Sequence, residues 1–287
     1  MTDLDIYLDP LNSPGVMSAK MWIREGSRAD PKDQKGWHQL LGSVLSRGCG
    51  PYSNIALSDL VEGAGAGLHC ETYEDGYLIS LKCNGSDAYK LLPIIGWMIK
   101  EPHLKNNQIN LEKELSIRSI KRQKENPISL AFDTWRYLAY GNGPYGHDPL
   151  GTIEDLQRID KEDLSILSKK LLRRKKFLVI AGTMPKSLKK EITTMEPFNT
   201  LQDTSSIIQP GTILSKDSKP YRSKQSCTYI LRTLETSQVI IMLGSPTIAY
   251  ANKDNLLLEL LTCHLGSGMS SKLFIDLREK HGVAYDV

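Results

Sequence analysis

The chain has 287 residues, of which 40% are hydrophobic and 7% aromatic, so it exceeds one typical compact domain and can bury a sizeable core. Its 36 basic and 33 acidic side chains give a formal net charge of +3, a balance that does not indicate a nucleic-acid partner. The five cysteines show no C-x-x-C spacing and the longest apolar stretches fall short of a bilayer span, so we expect no disulfide framework, no zinc cluster and no membrane partner.

The first residues, MTDLDIYLDP, carry acidic side chains where a secretory or transit signal has basic ones, which favours a cytoplasmic location. Residues 16–24 alternate apolar and polar side chains, a pattern that predicts a half-buried strand. A turn-rich loop then leads into KGWHQLLGSVLSRGCG at residues 35–50, where the apolar spacing predicts a helix that ends near Arg47-Gly48.

The rest of residues 1–195 predicts an α+β domain, with a mainly antiparallel or mixed sheet covered by helices. A helix over residues 53–65 precedes a hairpin over residues 68–83, whose turn signal is Asp75-Gly76. The further predicted elements are helices at 87–100, 108–124, 128–140, 152–157 and 161–174, a strand at 176–184 and a short helix near 185–194.

Residues 196–224 are rich in Pro, Gly, Ser, Thr and Asp without sustained periodicity, which indicates a linker. Residues 225–287 then predict strands at 227–235 and 238–246, a helix at 254–265, a glycine-rich turn, a helix at 270–282 and a strand from Val283. This order repeats the opening of the first domain and indicates a tandem duplication. Because the second copy is much shorter than the first, we expect the second domain to be incomplete in this chain.

Three segments carry a resemblance to a known family: residues 26–48, residues 125–164 and, most specifically, LGSGMSSKLFIDLREKHGVAYDV at residues 265–287. They resemble the pitrilysin-type metallopeptidases, which include insulinase and the mitochondrial processing peptidase. The resemblance implies two tandem pitrilysin-like domains, and it closely matches a processing-peptidase branch of that family.

Active members of this family carry the zinc motif H-x-x-E-H on the helix that residues 35–50 resemble. Aligning the two glycines at the ends of this stretch without a gap places Gln39 at the first histidine, Gly42 at the glutamate and Ser43 at the second histidine. His38 lies one residue away from the first ligand position, about 100° around a helix, so we expect it to point away from the site.

The family's third ligand, a glutamate on a later helix, aligns with Ser119, and the nearest alternative register gives Lys121. Neither residue suits Zn²⁺, which the family binds through two imidazoles and a carboxylate. The resemblance therefore implies a member with no metal or other cofactor of its own, and any zinc would belong to a partner subunit.

The resemblance also implies a retained pair from the second domain, in which a tyrosine donates to the developing oxyanion and an arginine holds the substrate backbone. These residues match Arg278 and Tyr285. The structural alternative is that Arg278 pairs with Asp276 or Glu279 and that Tyr285 is a half-buried strand aromatic. The resemblance favours the catalytic role, supplied in trans to the zinc site of a partner.

A glycine-rich turn at Gly266, Ser267 and Gly268 aligns with the region where noncatalytic processing-peptidase chains contact substrate through a longer glycine-rich loop. Substrate binding by these three residues is one interpretation, and a plain tight turn is the other. The turn lacks the lysine and the spacing of a phosphate-binding loop.

Two functions follow from the resemblance. In the first, the chain is the noncatalytic subunit of a zinc-dependent processing endopeptidase, binds extended peptides, and pairs with a zinc-bearing homologous subunit, or with a second copy of itself. In the second, it is a structural or interaction protein, as are the core subunits of the respiratory cytochrome bc complex. The retained arginine and tyrosine favour the first.

Overall fold

The structure, a computed structural model, describes residues 3–201 and 229–287. The described residues fall into two compact units, the first formed by residues 3–201 with 229–242 and the second by residues 243–287. Within these residues, no helix is both long and apolar enough to cross a bilayer.

The first unit is built on five strands: β1 (Asp3–Pro10), β2 (Val16–Ile23), β3 (Gly67–Thr72), β4 (Tyr77–Asn84) and β5 (Lys175–Gly182). They form one sheet in the order β1-β5-β2-β4-β3. The pair β1 and β5 is parallel and the other pairs are antiparallel, which confirms the predicted mixed sheet.

Eight of the nine α-helices described in the first unit agree with the sequence predictions to within a few residues, and the ninth lies in the segment predicted as a linker. The nine are α1 (Trp37–Leu45), α2 (Asn54–Gly63), α3 (Ala88–Lys100), α4 (Asn106–Glu125), α5 (Pro127–Tyr140), α6 (Ile153–Arg158), α7 (Lys161–Leu172), α8 (Leu188–Glu191) and α9 (Phe198–Leu201).

Side-chain caps explain why several of these helices begin where they do. The Ser53 hydroxyl accepts a hydrogen bond from the Ala56 amide at the start of α2. Asn126 caps α5 in the same way, directly before a proline at the first helical position. Asp160 and Asp163 form a reciprocal capping box at the start of α7.

The core lies on one face of the sheet. Alternate residues of β2, β4 and β5 are buried there against α1, α3 and α7, and the opposite face carries half-buried and exposed side chains. The large apolar side chains buried there from the strands include Met17, Met21, Ile23, Tyr77, Ile79 and Leu81. This one-sided burial explains the alternation that predicted β2 and the hairpin.

The structure adds β1, which the sequence reading did not predict. Its apolar residues Leu4, Ile6 and Leu8 alternate with polar ones, and this signal could have identified it. The core also extends through Phe198 and Leu201, which are buried, into the segment predicted as a linker. The remainder of that segment, residues 202–224, lies outside the described residues.

The second unit contains α10 (Asn255–Gly266) and a π-helix (Phe274–Lys280), close to the two helices predicted there. The predicted strands at 229–235, at 238–246 and from Val283 are wrong for the described residues, in which residues 229–287 form no strand. A strand requires backbone partners, and these apolar runs have none within the described part of the chain; Leu243, for example, is 94% exposed. Residues 227–228 of the first run fall outside the described residues.

Candidate functional site

Helix α1 is held at its first turn by one buried carboxylate. Gly36 adopts a left-handed conformation with φ of 92°, which permits the sharp entry into the helix. The Asp30 carboxylate accepts hydrogen bonds from the Gly36 amide at 2.9 Å and from the His38 amide at 3.1 Å, so it satisfies two of the open amides at the helix start. The apolar residues Leu40 and Leu41 are then fully buried in the core.

The position aligned with the family's glutamate has no room for a side chain. A Cβ placed on Gly42 would overlap Thr72 Oγ1 on β3 and would lie 3.2 Å from Tyr77 Cε1 on β4. The Tyr77 ring is fully buried and its hydroxyl donates a 2.8 Å hydrogen bond to the His38 carbonyl oxygen of α1. The space beside Gly42 is therefore filled by the hairpin.

The two positions aligned with histidines carry side chains that are weak zinc ligands. Ser43 Oγ donates a 3.2 Å hydrogen bond to the Gln39 carbonyl oxygen inside α1, and both side chains are half-buried. Ser119 is half-buried on α4, which is joined to α1 by a hydrogen bond of 2.6 Å from Arg47 Nε to Glu112 Oε1. Lys121, the alternative register, is exposed.

This arrangement does not fit zinc. An amide, two hydroxyls and a lysine lack the imidazole nitrogens and the carboxylate that such a site needs. Across residues 3–201 and 229–287, no group of three or more His, Cys, Asp or Glu side chains is placed to hold a metal ion.

His38 belongs to a buried charge cluster on the side of α1 that faces the loop after β2. Its Nδ1 lies 2.6 Å from Asp30 Oδ1, and its Nε2 forms an ion pair with Glu25 Oε1 at 3.8 Å. Glu25 also pairs with Lys170 at 2.5 Å and with Arg174 of the segment after α7. The cluster fixes the loop, α1 and the end of α7 together, which is a structural role.

The charges of this cluster shift the pKa values of its members. Burial lowers the pKa of His38, but the contacts with Asp30 and Glu25 outweigh burial and leave the pKa raised above 6.5. Burial raises the pKa of Glu25, but His38, Lys170 and Arg174 outweigh it and bring the pKa down from 4.5 to about 2.

Thiol chemistry is not supported by three of the cysteines. Burial raises the pKa of Cys49 and of Cys70 to about 12, and that of Cys83 to about 11. A thiol that stays protonated at neutral pH is a poor nucleophile.

The structure brings Arg278 and Tyr285 together within the second unit. The Arg278 guanidinium carbon lies 4.9 Å from the centre of the Tyr285 ring and 4.7 Å from that of Phe274, so it is stacked between two aromatic side chains. The Tyr285 side chain is 85% exposed and lies on no strand, so the placement of this residue on a strand was wrong.

The alternative expected of Arg278, an ion pair with Asp276 or Glu279, is present in part. Arg278 forms an ion pair with Glu279 at 3.9 Å, whereas Asp276 pairs with Lys272 and Lys280, each at 2.8 Å. The predicted substrate turn follows the end of α10 at Gly266, and Gly268 has a φ of 85°. A Cβ on Gly266 or Gly268 would meet nothing within 4 Å, so this turn is open to solvent in the described residues.

The sequence analysis missed the free edge of the sheet. This edge lies next to α1, which we call the degenerate helix because it lacks the H-x-x-E-H residues. Strand β3 pairs with β4 on one side, packs against α1, and has no strand on its other side in the described residues. The Tyr73 amide donates a hydrogen bond to the Gly76 carbonyl at 2.8 Å, so Tyr73 and every second residue before it on β3 bond to β4. The backbone groups of the residues between them, Leu68, Cys70 and Thr72, therefore point outward from the edge.

Two family models match the sequence. The model described as Insulinase (Peptidase family M16) matches residues 12–152, and the model described as Peptidase M16 inactive domain matches residues 178–287.

Similar curated proteins include an uncharacterized zinc protease from Streptomyces coelicolor, 22% identical over 96% of this chain and 60% of that protein. The non-peptidase homolog YmxG from Helicobacter pylori is 21% identical over 92% of this chain and 60% of its own length. The mitochondrial-processing peptidase subunit beta from Neurospora crassa is 24% identical over 58% of this chain and 35% of its own length. The chain thus spans less than two thirds of each of these relatives.

Two solved structures share the fold over 99% of this chain. A protease from Helicobacter pylori superposes with a TM-score of 0.77 at 18% identity, and the match covers 68% of that chain. A peptidase M16 inactive domain from Pseudomonas fluorescens gives a TM-score of 0.74 at 19% identity and 67% coverage.

Proposed function

Because the chain belongs to the insulinase family of peptidases (family M16), we propose that it is a noncatalytic subunit of a processing endopeptidase. In this proposal it binds extended peptides, and it adds Arg278 and Tyr285 to the active site of a zinc-bearing homologous chain. Zinc is held by that partner and not by this chain.

The filled space at Gly42 is the observation that carries the proposal. Helix α1 keeps its buried face, its cap and its contacts with β3, β4 and α4, while Thr72 and Tyr77 occupy the volume that a glutamate would need. Without imidazole and carboxylate ligands for a metal and without a base, the chain has no group here that would generate a nucleophilic water near neutral pH. The helix therefore serves as part of the scaffold.

The free edge of β3 supports the binding of an extended peptide. Its outward amides and carbonyls offer a ladder to an added strand, and main-chain hydrogen bonds of this kind bind peptides with little dependence on their sequence. The edge lies beside α1, so a peptide bound there would run past the degenerate site.

Tyr285 and Arg278 support a contribution to a partner's active site. The tyrosine hydroxyl is exposed and the guanidinium is oriented by two rings, so both groups are available to a substrate held by another chain. A tyrosine can donate to an oxyanion, and an arginine can hold a peptide carbonyl.

The test is steady-state kinetics of this chain mixed with a homologous chain from the same genome that carries the intact H-x-x-E-H motif. We expect Tyr285→Phe to lower kcat by roughly 10²-fold, the scale of one lost oxyanion donor, with little change in KM. The ring remains for Arg278 to stack on, so the loss reports on the hydroxyl. Arg278→Ala should raise KM and lower kcat, since its contact is made in both ground and transition states.

The matched control is Tyr250→Phe, because Tyr250 is 83% exposed and has no assigned role. Its kinetics should equal those of the unchanged chain. Unchanged rates for both Tyr285→Phe and Arg278→Ala, with folded variants, would contradict a shared active site.

A second candidate is a nonpeptidase scaffold that binds other proteins. The observation favouring it is the similarity to a Helicobacter pylori protein described as a non-peptidase homolog. The same mixture distinguishes the two, since a scaffold would bind its homologous partner without changing the partner's rate of peptide hydrolysis.

A further inference from the structure

A groove of about 760 Å³ lies on the open face of the sheet, beside the beginning of β3. Its basic side chains are Lys20 of β2, Lys82 of β4 and His69 of β3, and Ser18 and Ser80 also line it. Within the described residues, no aspartate or glutamate lines this groove.

The register of the sheet places these groups in two rows that run toward the free edge. Lys20 is paired with Ser80, and Ser80 with His69, so one row ends at an imidazole on the edge strand. In the next row Lys82 is paired with Gly67, which has no side chain. Gly67 therefore places no side chain of its own between Lys82 and the edge, and the neighbouring group is the His69 imidazole, whose Nε2 would lie 3.8 Å from a Cβ on Gly67.

These two lysines differ from Lys170, the lysine of the buried charge cluster beside α1. Lys170 is neutralised by Glu25 at 2.5 Å, whereas Lys20 and Lys82 form no ion pair within the described parts of the chain. Both are exposed. Their positive charge is therefore available to a ligand and is not used to stabilise the fold.

We propose that this groove selects extended peptides that carry acidic side chains. The inference rests on the proposed binding of a peptide along β3. Alternate side chains of an added strand would project onto the open face, beside His69 and Glu71, which are both exposed. An acidic side chain opposite Gly67 or His69 on the added strand lies close to Lys82 and is attracted by its charge. Lys20, two strands from β3, adds a weaker attraction.

Glu71 gives the selection a direction along the strand. It lies on the same face as His69, one position nearer the hairpin turn on that face, and its row contains Leu78 and no lysine. A peptide with its acidic residues at the Gly67 end is favoured, and one with them at the Glu71 end is repelled.

The experiment uses the full chain and short labelled peptides of alternating Thr and Val. In each peptide, one residue whose side chain would project onto the open face is Asp, Asn or Lys. Fluorescence anisotropy gives the Kd of each peptide at low and high salt. We expect the Asp peptide to bind about threefold to tenfold more tightly than the Asn peptide, the range of one to two exposed ion pairs, and the difference to shrink at high salt.

Five variants locate the effect. Lys82→Gln should remove most of the preference for Asp, Lys20→Gln should remove less, and the control Lys161→Gln, an exposed lysine at the start of α7, should remove none. Lys82→Glu should reverse the preference toward the Lys peptide. Gly67→Val should reduce the preference with every charge retained, and a Cβ at that position would lie 3.8 Å from His69 Nε2, so the fold has room for it.

The outcomes separate this inference from the proposed function. Equal affinities for the Asp and Asn peptides would overturn the acidic selection, and a preference that survives Lys82→Gln would overturn its assignment to this groove. Both results leave peptide binding in place. No binding of any extended peptide would instead contradict the proposed function itself.

Discussion

Position 42, which the sequence predicts to correspond to the family's catalytic glutamate, is a glycine, and Thr72 and Tyr77 pack where its side chain would lie. The sequence alignment alone predicted Gln39, Gly42 and Ser43 at the site. It could not predict that Thr72 and Tyr77 fill the volume, because that contact joins residues far apart in sequence through the packing of a hairpin on a helix. The fit at Gly42 is measurable as a stability effect.

We expect Gly42→Ala to lower the free energy of unfolding by about 1 kcal/mol, because overpacking costs about 1–3 kcal/mol while alanine is the better helix former by about 1 kcal/mol. In a Thr72→Ala background the same change should be neutral or stabilising. Urea unfolding of the four chains gives a coupling energy of about 1–3 kcal/mol. Gly63→Ala is the control, since a Cβ there meets nothing within 4 Å. Additive effects at 42 and 72 would show that the two residues do not compete for space.

The second prediction at this scale concerns His38, whose pKa in the folded chain is raised above 6.5 by Asp30 and Glu25. A raised pKa means that protonated His38 stabilises the fold fully below about pH 6.5, and that this stabilisation is lost as the pH rises through the folded-state value. Glu25 acts in the opposite sense. Its pKa is lowered from 4.5 to about 2, so its stabilisation is present above pH 4.5 and is lost as the pH falls toward 2.

Thermal or urea unfolding across pH should therefore show highest stability between about pH 4.5 and 6.5. His38→Gln should destabilise the chain most near pH 5.5 and less at pH 9, with the decline above pH 6.5 reduced. His264→Gln, an exposed histidine, should leave the profile unchanged. A His38→Gln penalty that is equal at both pH values would show that the imidazole is neutral in the fold.

At the scale of elements, local signals predicted most of the first unit. The predicted helices begin within a few residues of the caps that the structure shows at Ser53, Asn126 and Asp160, and the predicted Asp75-Gly76 turn joins β3 and β4. The predicted strands between 229 and 246 show the limit of such signals, because an apolar run specifies a strand only where partner strands exist. The strand order, and with it the free edge of β3, depends on long-range pairing that periodicity does not encode.

The free edge predicts which backbone groups of a bound peptide are essential. Because Leu68, Cys70 and Thr72 present the outward amides and carbonyls, a paired peptide uses every second amide. N-methylation of one alternate set of peptide amides should abolish binding, and methylation of the other set should have little effect. Anisotropy titration of both sets makes this comparison with identical side chains. Equal losses for the two sets would contradict strand addition.

At the scale of the whole molecule, the two units contribute different parts of the proposed activity. The first unit holds the degenerate helix and the free edge, and the second holds Arg278 and Tyr285. The mutual stacking of Arg278, Phe274 and Tyr285 could not be read from spacing alone, since it depends on how the chain turns after the π-helix. The resemblance at residues 265–287 had singled out Arg278 and Tyr285, and their catalytic role stays a prediction.

We expect the purified chain to contain much less than one equivalent of zinc after dialysis, and to hydrolyse no unstructured peptide by itself. A triple variant with Gln39→His, Ser43→His and Ser119→Glu restores the donor types of the family, and it should retain about one equivalent, measured by elemental analysis. A variant with Lys121→Glu in place of Ser119→Glu is the matched control for the alternative register. One equivalent of tightly held zinc in the unchanged chain, lost on Gln39→Ala, would contradict this assignment.

The contact of Thr72 and Tyr77 with Gly42 also bears on the history of the molecule. A single codon change back to glutamate would meet an occupied volume and lower stability before it could restore any chemistry. Recovery of the base therefore requires that the hairpin be opened first, and that step by itself brings no benefit. This packing therefore favours evolution in one direction. With Thr72 and Tyr77 packed against position 42, adaptation of this chain as a partner requires fewer changes than a return to independent catalysis.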